Sequence, residues 1–253
     1  MNWRRLVEAS APAATVLVRV AAPFTIFLSR EAWAGPPFLT DDPEPVEPTH
    51  WEFYAAAQWS ASGHAASGTS PHLEVNYGAL PGLQLHAIVP AVLSWTTGSA
   101  ARYGLGDVEL GAKLRFIDQR DWRPQVGIFP LATLPTGAVG RGLGAGGVQA
   151  LLPLWLQWDH GPWTTYGGGG LRLGSDGDAA VFGWLLQREL SEKVALGAEA
   201  FVTLPLRSNE VQVQLNLGAI VNLSERHHLL LSAGPSFGGD AREQAYLAYQ
   251  LTI

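Results

Sequence analysis

The sequence predicts an all-β chain: a transmembrane antiparallel up-and-down β-barrel of the outer-membrane type, with about 12 strands. Three observations carry this expectation. Apolar and polar residues alternate with period two through most of residues 49–253, the period of a strand whose two faces meet different surroundings. The alternating runs are about 10–12 residues long, enough to cross a bilayer at a tilt, whereas strands of soluble domains average about 5–6. The eighth strand has no clear register; in the other eleven the apolar register carries no charged residue. A charge facing mid-bilayer lipid costs about 2–4 kcal/mol in a barrel, so its absence from one face is the pattern lipid contact selects.

Residues 1–34 read as a cleaved export signal. Arg4 and Arg5 give a basic start, apolar stretches run from Ala11 to Val18 and from Val20 to Leu28, and Ala32-Trp33-Ala34 supplies a small-residue cleavage site before Gly35. Cleavage takes four Arg and two Glu from the 16 bases and 22 acids of the chain, leaving a strongly acidic mature protein. Residues 35–48 form a Pro- and acid-rich segment, with five prolines and the acids Asp41, Asp42, Glu44 and Glu47. Proline has no N–H for a ladder, so this segment is expected on the periplasmic side or folded into the barrel mouth.

The barrel proper is expected over residues 49–253. The periodicity places strands at 49–59, 70–79, 83–94, 105–117, 124–135, 147–158, 162–173, 180–190, 193–204, 210–222, 227–237 and 243–253. The fourth shows the pattern most clearly: Val108, Leu110, Ala112, Leu114 and Phe116 share one face, and Asp107, Glu109, Gly111, Lys113 and Arg115 the other. The tenth repeats it, with Val211, Val213, Leu215 and Leu217 against Glu210, Gln212, Gln214 and Asn216. Tight turns such as Pro81-Gly82 and Ser191-Glu192 alternate with longer Gly-, Ser- and Ala-rich connections at 60–69, 95–104 and 136–146, as periplasmic turns alternate with outer loops. The turn from Asp118 to Arg123 is longer than its neighbours. Trp51, Trp59, Trp95, Phe116, Trp158, Trp163 and Phe237 stand near strand ends, where interfacial aromatic girdles sit.

Composition narrows the function. Charged residues are 15% of the chain and the net charge is −6, which argues against a disordered chain and against nucleic-acid binding. The chain has no cysteine, which excludes disulfides, thiol catalysis and Cys-based zinc sites. The seven histidines, His50, His64, His72, His86, His160, His227 and His228, show no dense ligand spacing. No metal site or cofactor is therefore expected. The glycine runs at 137–147 and 167–170 lack the Lys-Ser/Thr of a phosphate loop, and Asp176-Gly-Asp178 reads as a turn. No local Ser/His arrangement suggests a hydrolase, so no catalytic residue is assigned.

The stretch Gly35-Pro-Pro-Phe-Leu-Thr-Asp-Asp-Pro-Glu-Pro-Val, followed by His50-Trp51-Glu52-Phe53-Tyr54, resembles the start of a bacterial outer-membrane family labelled for the meta-pathway of phenol degradation and often called a transporter. The match is close over residues 35–54 and one of pattern beyond. The last strand, ending in Leu251 and Ile253, is similar to the signal read by the barrel-assembly machinery. The resemblance implies a single-chain barrel in outer-membrane lipid and a role in uptake of small hydrophobic or aromatic solutes.

What remains to carry function is the lumen. The inward register holds Glu52, Glu74, Glu109, Lys113, Arg115, Arg172, Glu199 and Glu210. They line a permeation path, or they pair with one another in a filled interior; a barrel of this size, between the filled eight-stranded and open 16-stranded types, permits both. The two expected functions are accordingly a passive channel or transporter and a non-conducting structural or surface-interaction barrel. Lys113 and Arg115 lie toward the periplasmic end of their strand, so Asp41, Asp42, Glu44 and Glu47 are candidates to dock on them as a plug.

Overall fold

The computed structural model describes residues 37–175, 177–238 and 242–253. The expected signal peptide and its cleavage site lie outside the described residues, as does Asp176.

Twelve antiparallel strands close a ring. They are β1 (Trp51–Ser62), β2 (Ala65–Leu80), β3 (Leu83–Thr96), β4 in two pieces (Arg102–Leu105 and Val108–Ile117), β5 in two pieces (Gln125–Ile128 and Leu131–Leu134) and β6 (Gln149–His160). The second half holds β7 (Trp163–Leu173), β8 (Ala179–Ser191), β9 (Val194–Pro205), β10 (Gln212–Asn222), β11 (His227–Phe237) and β12 (Glu243–Thr252). Each strand pairs with its sequence neighbours, and β12 returns to β1 in a continuous register from Glu52↔Thr252 to Ala61↔Glu243. Closure leaves no open edge, which an apolar terminal strand would otherwise expose.

The side chains are distributed inside out relative to a soluble sandwich. Phe53, Leu85, Leu110, Leu152, Trp184, Leu215 and Leu247 stand exposed on the outer wall, while His72, Glu74, Gln84, Glu109, Gln157 and Gln214 are buried within. Water would not tolerate so continuous an apolar exterior, and lipid would not tolerate the polar face, so the wall faces lipid and the polar face the lumen.

Four strand details stand apart from the regular alternation. Residues 60–69 do not form a long loop: β1 and β2 continue as a ladder to a turn at Gly63-His64. The small residues there carry no apolar alternation, yet their backbone groups still pair. β2 also bulges near Ser70-Pro71, against both β1 and β3, so its parity reverses and Gly68 joins Trp59 and Leu93 in one cross-strand row. Two strands are interrupted, β4 at Gly106-Asp107 and β5 at Phe129-Pro130; Pro130 has no N–H to donate to a ladder. The eighth strand turns Ala179, Val181, Gly183 and Leu185 inward and Phe182, Trp184 and Leu186 outward. Both of its faces are apolar, which is why its alternation cannot be read.

Candidate functional site

The short turns and the start of β1 share one end of the barrel, and residues 37–48 enter the lumen from there. Their prolines keep them out of the sheet, and they cross the interior instead of hugging one strand. Ser232 of β11 donates to the Pro37 carbonyl. The Phe38 ring is buried against Tyr166 and Leu185, seated where Gly197 and Gly218 leave room: a Cβ on Gly197 would come within 2.5 Å of that ring. The Thr40 backbone N–H donates to Glu199, which also accepts from Asn216 Nδ2 at 2.6 Å.

The acidic half then meets the bases of β4. Lys113 Nζ donates to Asp41 at 2.8 Å and to Asp42 at 3.2 Å, and to the Glu44 carbonyl at 3.4 Å. Arg115 lies 3.7 Å from the Glu44 carboxylate and 3.1 Å from Asp118. Gln157 Nε2 donates to Glu44 at 3.3 Å, and the Val46 N–H to Gln84 at 2.9 Å. Lys113 and Asp41 are both buried, and a buried ion pair holds its place because removing either partner leaves the other uncompensated. Glu47 is exposed at the mouth.

The other inward charges fall into separate groups. His86 joins Glu109 at 3.2 Å and Asn76 at 2.7 Å, and Asn76 donates to Glu74 at 2.9 Å. His72 contacts Thr69 at 3.2 Å. Glu52 accepts from Tyr54 at 2.7 Å, and Arg172 is half-buried on β7. Glu210 corrects its expected place: β10 begins at Gln212, and Glu210 is exposed in the connection before it. The alternation runs on past the point where the ladder ends. Among the described residues no group of three or more His, Asp or Glu could hold a metal ion.

Two features escaped the sequence. The first is an apolar patch inside the polar lumen, built by Phe129, Leu131, Leu151, Trp155, Val181 and Phe201, with Leu39 of the entering segment packed on it. The Trp155 indole N–H is buried there without an acceptor among the described residues. Its signal was present in β8, whose inward positions are as apolar as its outward ones, and in Leu151, Pro153 and Trp155 on the inward register of β6. The second is Asp107, buried at the break in β4. Its carboxylate accepts from Gly137 N–H at 2.7 Å and Ala145 N–H at 2.6 Å, pinning the connection between β5 and β6 and burying Leu143.

No protein-family model matches the chain, and no curated relative matches it. Solved structures do. A KdgM porin in complex with disordered oligogalacturonate is 6% identical, with a TM-score of 0.55 over 79% of this chain and 98% of that one. A NanC porin is 8% identical, with a TM-score of 0.57 over 79% and 98%. The translocator domain of the autotransporter NalP from Neisseria meningitidis is 13% identical, with a TM-score of 0.58 over 82% and 89%. At such identities the likeness is one of fold, and that fold is the closed outer-membrane β-barrel.

Proposed function

We propose that the protein is an outer-membrane channel for passive uptake of small hydrophobic or aromatic compounds, with residues 37–47 acting as a plug across its lumen. The carrying observation is the patch around Phe129 and Trp155: it gives the polar lumen an apolar, aromatic surface that a small hydrophobic solute would meet once Leu39 moves off it. Two similar barrels bear the name porin, and the resemblance of residues 35–54 to a family labelled for phenol degradation points the same way. On this reading the chain is exported by cleavage after Ala34 and inserted by the barrel-assembly machinery, and Glu52, Glu74, Glu109, Lys113, Arg115, Arg172 and Glu199 set the polarity of the path. A non-conducting barrel is the competing reading, favoured by the paired buried charges at Lys113, Asp41 and Asp42.

Entry into vesicles with a lipopolysaccharide outer leaflet separates the two. Benzyl alcohol should enter several-fold faster when the protein is present, and arabinose no faster. Equal entry of benzyl alcohol with and without the protein would reject the channel.

A further inference from the structure

The segment that crosses the lumen has the chemistry of a ligand. Leu39 packs on the apolar patch. Two residues on, Asp41 places a carboxylate 2.8 Å from Lys113 Nζ, and Asp42 places a second at 3.2 Å. Phe129 joins the two halves of this site: its ring belongs to the patch, and the Lys113 ammonium lies 5.1 Å from its centroid. An apolar body followed by a carboxylate therefore spans the distance from patch to ammonium.

Lys113 is buried, and both of its salt-bridge partners among the described residues come from the segment. When the segment leaves, the Lys113 ammonium beside the Phe129 ring loses both carboxylates and keeps only lumen water in their place. The vacated site thus favours an arriving anion over a neutral solute of the same shape. Glu109 shares the inward face of β4 but is engaged with His86, so it does not supply that anion.

We propose that the Phe129–Lys113 site binds small carboxylates with an apolar, ring-sized body, and that residues 39–42 are an internal surrogate which such a solute displaces. This rests on reading the barrel as a channel and sharpens the class of solute it takes.

The test is equilibrium dialysis of the full-length protein in detergent at neutral pH, with radiolabelled benzoate, benzyl alcohol and acetate. Benzoate should bind about tenfold more tightly than benzyl alcohol, and acetate, which has the charge without the body, more weakly than either. The Asp41→Asn/Asp42→Asn variant weakens the surrogate without touching the wall, and should bind benzoate about tenfold more tightly than the parent. Lys113→Met should lose the preference for benzoate; the segment variant keeps the test decisive if Lys113→Met does not fold. Benzoate bound no better than benzyl alcohol, or no gain in the segment variant, overturns the proposal. Benzoate binding without faster solute entry into vesicles rejects the channel and leaves the site standing. Faster entry of benzyl alcohol with no benzoate preference does the reverse.

Discussion

Arginine at Leu110 or at Leu215 should prevent the folded barrel from accumulating in membranes, whereas arginine at Gln214 should be tolerated. Leu110 and Leu215 are 45% and 43% exposed on the outer wall, near the middle of β4 and β10. Placing a guanidinium against mid-bilayer lipid costs about 2–4 kcal/mol, a large share of a stability of about 5–15 kcal/mol. Gln214 is adjacent to Leu215 in sequence but is 4% exposed and faces inward. Its amide donates to Asn216 at 2.8 Å, and Asn216 donates to Glu199, so a cation there has an acceptor chain ending in a carboxylate. The yield of heat-modifiable folded barrel in membrane fractions measures the difference. Equal losses from both faces would mean that the wall does not face lipid.

Lys113→Met should release the lumen segment while leaving the barrel closed. The substitution strips Asp41 and Asp42 of the ammonium they share, and an unpaired buried carboxylate costs about 3–5 kcal/mol. The undocked population should rise by roughly two to four orders of magnitude. Cleavage of the folded protein by chymotrypsin at Phe38 reads this directly, because slow proteolysis tracks the population of the open form. Adding Asp41→Asn and Asp42→Asn removes the stranded charges and should recover part of the protection. An unchanged cleavage rate in Lys113→Met would show that the ion pairs do not hold the segment.

Much of this architecture is legible in the chain because the bilayer imposes a severe rule. In β4 and β10 a charge on the outer face is costly and an apolar residue on the inner face is unrewarded, so both strands announce their register. Legibility fails where that rule lapses. Beyond the lipid band, around residues 60–69, the ladder continues without apolar alternation and resembles a loop. In β8 the lumen face meets the entering segment instead of water, so Val181 and Leu185 are as apolar as Phe182 and Trp184, and period two disappears. The same cause hid the Phe129–Trp155 patch: no local pattern reveals that inward residues of four different strands and Leu39 meet in space. Glu210 shows the opposite failure, a periodic pattern extending past the last paired residue. The proximity of the acidic segment to Lys113 and Arg115 was foreseeable from strand direction and charge, but its route across the lumen depends on glycines at 197 and 218, whose role appears only once Phe38 lies over them.

Single-channel conductance of the parent and of a variant lacking residues 37–46 tests the account most directly. If the lumen is a path closed by this segment, the deletion variant should insert as a barrel and conduct more ions per channel than the parent. A correctly folded deletion variant whose conductance equals that of the parent would contradict it.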